Sequence, residues 1–301
     1  MGQNQNINRI DPETLGLAYG FLGVLGFSLT LPATRVAVAF VDPVVVGLGR
    51  AFLAGILAVA TLWATRQPLP SRKQLGSLAI VAAGVILGFP LLSAWAMQRL
   101  PAAHGAVVLG LLPLATAIMG AVRAGDRPSR GFWLASMVGS TTVVIFAVIS
   151  GAGQIQGADI ALLGAGVAAA VGYAEGGRLA RVLGGWQTIS WALVLAAPVV
   201  ALPVAIAVLQ HRIVASPVAW LGFAYVSIVS QFLAFFAWYH GLTLGGVARV
   251  GQIQLLQPFL TILASTLLLG EKITPITLGA TCLVVASVAL GRQAPVKRSQ
   301  L

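Results

Sequence analysis

Ten apolar segments of membrane-spanning length occupy most of this chain, and they decide what it can fold into. About 20 consecutive apolar residues cross the hydrocarbon core of a bilayer as an α-helix. Numbered 1 to 10, the segments are Thr14–Ala33, Pro43–Thr65, Lys73–Gln98, Pro101–Ala124, Arg130–Ser150, Gly157–Arg178, Gly185–Leu209, Pro217–Thr243, Gly246–Leu269 and Thr274–Gly291. Because helices satisfy their backbone hydrogen bonds internally, this pattern predicts an all-α integral membrane protein with ten transmembrane helices.

The composition excludes a soluble protein. Of 301 residues, 58% are apolar and 8% are charged, whereas roughly a quarter of a soluble domain is charged. The net charge of +11 would indicate nucleic-acid binding in a soluble chain. Here the basic residues lie between apolar runs, without a basic stripe interleaved with aromatics. We therefore expect the lipid bilayer, and no nucleic acid, as a partner.

Two stretches of the chain repeat each other. LGLLPLATAIMGAVRAGDR at 109–127 aligns with QLLQPFLTILASTLLLGEK at 254–272, an offset of 145 residues that brings Pro113 onto Pro258. An offset of 143 residues brings Arg35 onto Arg178. Such a long period in an apolar chain predicts a duplicated membrane bundle. We place the two five-helix repeats at residues 14–150 and 157–292, with tails at 1–13 and 293–301.

The distribution of Lys and Arg predicts the orientation. Thirteen of these residues fall on the side that both termini share and four on the opposite side, with Arg50 left inside segment 2. Basic residues favour the cytoplasmic side, so both tails are predicted to be cytoplasmic, at the bacterial inner membrane. Five spans per repeat make the halves inverted. Inverted repeats place a substrate site near the midplane and support alternating access.

The ten segments, the two halves and the shared Pro…Gly-Asp/Glu-Arg/Lys ending of segments 4 and 9 resemble the EamA family of the drug/metabolite transporter superfamily. Within it, the chain is most similar to YddG-type exporters of aromatic and other neutral amino acids. The resemblance implies a basket of helices around a central cavity formed mainly by segments 1, 3, 4, 6, 8 and 9. Segment 1 lacks the membrane-embedded glutamate of the small multidrug relatives, so proton exchange through that carboxylate is not implied.

Segment 9 carries the strongest candidates for the substrate cavity. Gln254, Gln257 and Thr261 recur at helical spacing and share one face. Pro258 lacks an N–H and is predicted to leave the carbonyl of Gln254 free. An amide, a hydroxyl and a free carbonyl together suit an ammonium and a carboxylate without net charge. The alternative is that these groups only join helices, as small polar residues commonly do in membrane bundles.

Segment 8 supplies aromatic candidates. Gln231, Phe235 and Trp238 lie along one face, and aromatic faces suit a flat apolar side chain or a cation. The alternative is that Trp238 is an interfacial anchor. Trp95, near the end of segment 3, allows the same two interpretations. Tyr173, toward the end of segment 6, is a further cavity candidate.

His104 opens segment 4, and the repeat places it opposite Arg249, which opens segment 9. Two positive positions at the two mouths could attract a carboxylate, or they could mark helix starts beside lipid headgroups. Glu175 and Arg178 are three residues apart, a spacing that predicts an ion pair.

Glycine and proline positions indicate where the helices bend. Gly23 and Gly166, in the equivalent segments 1 and 6, are predicted to help gate the cavity at opposite faces, because glycine lowers the cost of bending. Pro32 is predicted to end or kink segment 1. Leucine at Gly23 and Gly166 is expected to reduce transport while folding stays intact.

These observations favour an exporter of small neutral metabolites, most of all amino acids including aromatic ones. The alternative keeps a transporter but changes the cargo to drug-like cations, sugars or phosphorylated compounds. An integral-membrane enzyme or receptor is the third class. An enzyme would need a nucleophile and base or a metal set, and the sequence has three scattered histidines and one cysteine, Cys282, which we expect to be packed. We expect no enzyme activity, no cofactor, no metal, and a monomer.

The predicted orientation can be tested with a reporter protein fused after Leu301. Enzymatic reporters that are active only in the cytoplasm or only outside it should place this end in the cytoplasm, because of the Lys and Arg distribution. A reporter active on the outer side would contradict the topology.

Overall fold

A computed structural model describes residues 11–124, 127–150, 154–210, 214–245, 250–293 and 296–297. Its α-helices are Pro12–Ser28, Thr30–Val38, Pro43–Ala64, Arg72–Val81, Phe89–Met97, Ala102–Leu109, Leu112–Ala124, Arg130–Ser150, Gly157–Leu183, Gly185–Gln210, Pro217–Ala224, Ala234–Gly245, Gln257–Leu269 and Pro275–Gln293. The other described elements are two π-helices, Ala82–Gly88 and Tyr225–Leu233, and a 3-10 helix, Gly251–Leu256. Two-residue strands, Arg127–Pro128 and Val296–Lys297, pair antiparallel.

Eight helical stretches within the described residues are long and apolar enough to cross a membrane, and two shorter apolar helices follow at Ile253–Leu269 and Pro275–Leu290. The predicted all-α membrane class is therefore confirmed, with the single strand pair as the exception. The predicted charged corner at Asp126, the position of Arg249 and most of both tails lie outside the described residues.

Two predicted segment ends are wrong. Segment 1 continues to Val38 after a break at Leu29, and segment 6 continues to Leu183. Pro32 thus lies in the first turn of the helix Thr30–Val38, where the missing N–H of proline is tolerated. Arg178 lies inside a helix and not at its end.

Two prolines leave backbone carbonyls without their helical partners, and side chains from the second half of the chain bind both. Pro32 cannot donate to the carbonyl of Ser28, which accepts instead from the Thr261 hydroxyl at 2.8 Å. In the π-helix of segment 3, Phe89 N–H bonds Gly84 five residues back. Pro90 cannot continue that pattern to Val85, so the carbonyl of Val85 accepts from Gln231 Nε2 at 3.1 Å. Segments 1 and 3 are thereby joined to segments 9 and 8.

The two halves share local irregularities. The π-helices begin at Ala82 and Tyr225 and end at Gly88 and Leu233, 143 and 145 residues apart. These are the two offsets of the sequence repeat. Segments 4 and 9 also both lose regular α-helix just before a proline, at 110–111 and at Gly251–Leu256. Duplication therefore extends to the places where the helices deform.

Glycines bring segments 1 and 8 into backbone contact. A Cβ added at Gly16 would lie 2.6 Å from the backbone N of Gly245, and one added at Gly241 would lie 2.7 Å from the N of Gly20. Small residues permit such close approach between membrane helices. These contacts pack the start of segment 1 against the end of segment 8.

The outer surface of the bundle is apolar. Large side chains such as Trp63, Leu202 and Leu267 are 83%, 68% and 73% exposed, as expected of a surface that faces lipid. Cys282 is exposed on the last helix, so the expectation that it is packed is wrong. Apolar neighbours in the sequence mark a lipid-facing surface as well as a protein core.

The side-chain bond to Ser28 can be tested with Thr261→Val, which keeps the shape of the side chain and removes the hydroxyl. We expect a loss of about 1–3 kcal/mol in stability, because the buried carbonyl of Ser28 loses the Thr261 hydroxyl as its donor. The measurement is unfolding of the purified protein in detergent. Thr142→Val is the control, since the exposed Thr142 hydroxyl bonds only the carbonyl of Val138 in its own helix. Equal effects of both changes would contradict the proposed joining role.

Candidate functional site

Two small cavities adjoin at the centre of the bundle, and Leu112 and Gln257 line both. Each has a volume of about 10 Å³, enough for roughly one water molecule. The first is lined by Leu31, Ala106, Leu109, Leu112, Pro113, Gln254, Gln257, Pro258 and Thr261. The second is lined by Phe27, Thr30, Arg50, Val85, Phe89, Leu112, Ala169, Tyr173, Ser230, Phe235 and Gln257. The four candidates of segment 9 thus face one cavity, against segments 1 and 4.

Two glutamines of segment 9, the buried Gln254 and the half-buried Gln257, have buried amide atoms without hydrogen-bond partners among the described residues. Gln254 is 1% exposed, and neither its amide oxygen nor its amide nitrogen has a partner among the described residues. The amide oxygen of Gln257 is likewise unpaired. Each unsatisfied buried group costs about 1–3 kcal/mol. Groups retained at that cost beside a cavity are suited to a ligand.

Two details of this face differ from the prediction. The Gln254 carbonyl is not free, because Gly251–Leu256 tightens into a 3-10 helix and the N–H of Gln257 donates to that carbonyl. The Thr261 hydroxyl lines the cavity but is engaged by the carbonyl of Ser28. The two amides, and not the carbonyl or the hydroxyl, are the groups available to a ligand.

Aromatic rings crowd one side of the second cavity. Phe27 and Phe235 lie 4.9 Å apart between ring centroids, and Tyr173 and Trp238 lie 5.6 Å apart. Trp238 is fully buried, so the alternative that it anchors the chain at the membrane interface is wrong. Its indole Nε1 has no partner among the described residues. The cluster offers a flat apolar surface with one unused donor.

Arg50 is a site residue that the sequence reasoning did not select. It is 2% exposed and lines the second cavity. Its Nε donates to Gln231 Oε1 at 2.9 Å and its Nη2 to Ser230 Oγ at 3.3 Å. Gln231 therefore lies behind Arg50 as a support and does not itself line the cavities. The available signal was that Arg50 is the one Lys or Arg placed well inside an apolar segment, which by default indicates function in a membrane.

One end of the bundle, here called the Glu271 end, is held by charged groups. Gly270 adopts a left-handed conformation, with φ 66°, and turns the chain so that Glu271 reaches the start of segment 4. The carboxylate accepts from the N–H groups of Ala102 at 2.9 Å and Ala103 at 2.8 Å. It also pairs with Arg35 at 3.2 Å. A carboxylate at a helix N-terminus is favoured by the helix dipole.

His104 and Trp95 lie at the same end and line neither cavity. His104 Nε2 is 2.6 Å from Asp159 Oδ1, and both side chains are buried. Asp159 also accepts from the N–H of Gln156 at 3.0 Å, so this pair joins the first turns of segments 4 and 6. Trp95 lies under the guanidinium of Arg99, 3.9 Å from its ring centroid. His104 and Trp95 therefore make contacts at the Glu271 end and not in the two cavities.

The gating candidates differ in their surroundings. A Cβ at Gly23 would meet the backbone of Trp238 at 3.1 Å, whereas one at Gly166 would meet only Leu109 Cδ2 at 3.4 Å. Leucine at Gly23 would press on the backbone of segment 8, so this variant tests packing as well as gating, and its expected intact folding stays a prediction. The leucine variant at Gly166 can still test whether bending of segment 6 is needed for transport. Glu175 and Arg178 form the predicted ion pair.

A larger cavity, about 640 Å³, lies at the surface between segments 2 and 7. It is lined by apolar side chains together with Arg66 and Gln67. The exposed Trp63 at its edge places it against lipid. The central cavities, with their unpaired amides and buried Arg50, are the better candidate site for a small polar cargo.

Helices of spanning length around a polar centre define a polytopic membrane protein of the transporter type. The sequence profile of the EamA-like transporter family matches residues 14–148 and again 156–291. The chain is 46% identical over 285 residues to the "Uncharacterized transporter YdeK" of Bacillus subtilis (strain 168), covering 94% of this chain and 99% of that protein. The chain therefore belongs to the EamA-like transporter family, and membership marks it as a transporter and not an enzyme.

A solved structure supports the fold. A crystal structure of a protein that is 19% identical in sequence superposes with a TM-score of 0.66, covering 92% of this chain and 96% of its own. At that identity, the likeness concerns the fold alone.

We expect the contacts of Glu271 with Ala102, Ala103 and Arg35 to hold the Glu271 end of the bundle closed. Glu271→Gln should speed alkylation of a cysteine introduced at Ala106, which is 3% exposed, in a Cys282→Ser background. We expect roughly tenfold faster labelling, because loss of a charge-assisted cap and ion pair costs about 1.5 kcal/mol. Lys272→Gln removes the neighbouring, exposed charge and is the control. Unchanged labelling in the Glu271→Gln protein would contradict a closing role.

Proposed function

We propose that this protein is a secondary transporter that exports small metabolites, most of all amino acids including aromatic ones, by alternating access. The observation that carries the proposal concerns Gln254 and Gln257 beside an interior cavity. Among the described residues, the amide oxygen and nitrogen of the buried Gln254 and the amide oxygen of Gln257 are unpaired. Buried polar groups in membrane proteins mark substrate and ion pathways. The adjoining aromatic cluster suits a flat side chain.

The proposed architecture is ten transmembrane helices in two inverted repeats, with both termini cytoplasmic and the Glu271 end outward. The matched π-helices support the duplication, and the Lys and Arg distribution supports the orientation. The proposed location is the bacterial inner membrane, and the proposed state is a monomer. Cavities of about 10 Å³ cannot contain an amino acid. Cargo would therefore enter only when one end opens, as alternating access requires.

The chemistry of the cavity favours an amino acid over a drug-like cation. Amide oxygens of Gln254 and Gln257 accept hydrogen bonds from an ammonium, and the rings of Phe27 and Phe235 pack against an apolar side chain. The buried cation Arg50 repels a cargo of net positive charge. The aromatic surface supports a YddG-type cargo range, with aromatic and other neutral amino acids.

The proposal is tested by efflux of radiolabelled phenylalanine, leucine and glutamine from proteoliposomes, with and without a pH gradient. Gln254→Leu and Gln257→Leu should each reduce efflux at least tenfold. Gln254→Leu should also leave stability unchanged or raise it by about 1 kcal/mol, because an unsatisfied buried amide is replaced by an apolar group. Loss of activity with gain of stability is the signature of a group retained for function.

Gln187→Leu is the matched control. Gln187 also has an unpaired amide oxygen, but it lies at the start of segment 7, away from both cavities. Its efflux should stay within twofold of the unchanged protein. Failure of the unchanged protein to move any amino acid would overturn the proposal.

A further inference from the structure

We propose that Arg50 is the binding site for a carboxylate group of the cargo. This inference rests on the proposed export function and specifies its substrate class, namely molecules with one carboxylate and no net positive charge. The reasons are the depth of Arg50, the neutrality of its partners, the engagement of the acidic residues elsewhere, and the groups that share its cavity.

Arg50 lies deep in the bundle. It is the eighth residue of the helix Pro43–Ala64, about 10 Å along the axis from the helix start. Its side chain is 2% exposed. A buried cation in a membrane protein is costly unless it is paired or faces a water-filled cavity. The charge of Arg50 therefore needs a compensating group.

The protein partners of Arg50 are neutral. Its two hydrogen bonds go to Gln231 and Ser230, and the Ser230 hydroxyl shares a further bond with Thr30 at 2.7 Å. A guanidinium has five N–H donors, so these bonds leave most of them unused. They hold the group in place and supply no negative charge.

The acidic side chains that the structure describes are engaged elsewhere. Asp159 and Glu271 belong to the Glu271 end, and Glu175 pairs with Arg178. Asp11 and Asp42 cap helix starts through the N–H groups of Thr14 and Val44. Among the described side chains, none is an acid bonded to Arg50. The missing negative charge is therefore assigned to the cargo.

The cavity around Arg50 suits an amino acid whose carboxylate lies against the guanidinium of Arg50. A guanidinium binds a carboxylate through two parallel N–H···O bonds, and the hydroxyls of Thr30 and Ser230 line the same wall. Gln257 connects this cavity to the one that contains Gln254, where unpaired amide oxygens can accept from an ammonium. One arginine suits a single carboxylate, whereas a phosphoryl group is better matched by several basic residues.

The test compares three ligands that each contain the same phenyl ring and differ in their charged groups. L-phenylalanine carries a carboxylate and an ammonium, phenylpyruvate carries only the carboxylate, and phenethylamine carries only the ammonium. Binding to purified full-length protein in detergent is measured by isothermal titration calorimetry and by the shift in thermal unfolding. Flux of the same ligands is measured separately in proteoliposomes.

Arg50→Gln should weaken binding of phenylalanine and phenylpyruvate roughly 10- to 100-fold, because a charge-assisted pair is lost. Binding of phenethylamine should be unchanged or improved. Arg50→Lys keeps the charge and loses the planar fork, so it should weaken the carboxylate ligands less. If Arg50→Gln fails to fold, Arg50→Lys alone tests the carboxylate site. Arg99→Gln, at the exposed arginine over Trp95, is the control and should change nothing.

The outcomes separate this inference from the export proposal. If phenylpyruvate binds through Arg50 while no amino acid binds or moves, the carboxylate site stands and the amino-acid proposal fails. If amino acids move but Arg50→Gln and Arg50→Lys weaken all three ligands equally, Arg50 is only a structural support and the inference is overturned. If neither carboxylate ligand binds the unchanged protein, the inference is likewise overturned.

Discussion

Hydrocarbon offers no water to hydrogen-bond an exposed peptide group, so every break in a membrane helix must be satisfied by the protein. This chain breaks its helices at Leu29, in two π-helices and before Pro258. Side chains from the other half bind the carbonyls that Pro32 and Pro90 leave free. At both prolines the irregular backbone is therefore satisfied by side chains within the bundle. The same bonds fix the polar face of segment 9 and the position of Arg50.

Different interactions hold the two ends of segment 1. The Glu271 end is held by a carboxylate on helix N–H groups and by Arg35, all of which water can replace near the membrane surface. The start of segment 1 is held by close backbone packing against glycines of segment 8, and not by hydrogen bonds between side chains. In the proposed alternating-access cycle, opening at the first end would exchange hydrogen bonds. Opening at the second end would require segments 1 and 8 to separate.

The positions of residues within one helix could be predicted from the sequence, whereas the hydrogen bonds between distant segments could not. Periodicity and Pro258 were enough to select Gln254 and Gln257, since a helix places them on one face whatever surrounds it. The bonds from Arg50 to Gln231 and from Thr261 to Ser28 join residues 181 and 233 apart. No pattern in the sequence predicts these hydrogen bonds. The burial of Trp238 and the exposure of Cys282 were also hidden, because apolar neighbours are equally common in a core and against lipid.

Duplication made the frame symmetric, yet the polar groups come from different halves. At the 145-residue offset, Gln254 and Gln257 correspond to Leu109 and Leu112, which line the same cavity from segment 4. At the 143-residue offset, Arg50 corresponds to the buried Leu193. Thr116 corresponds to Thr261, but its hydroxyl bonds Leu112 in its own helix. A symmetric cavity would accept a zwitterion in two equal orientations. In the proposed mechanism, Arg50 on segment 2 and the amides on segment 9 would permit one orientation, so the asymmetry would orient the cargo while the duplicated frame would let each end open in turn.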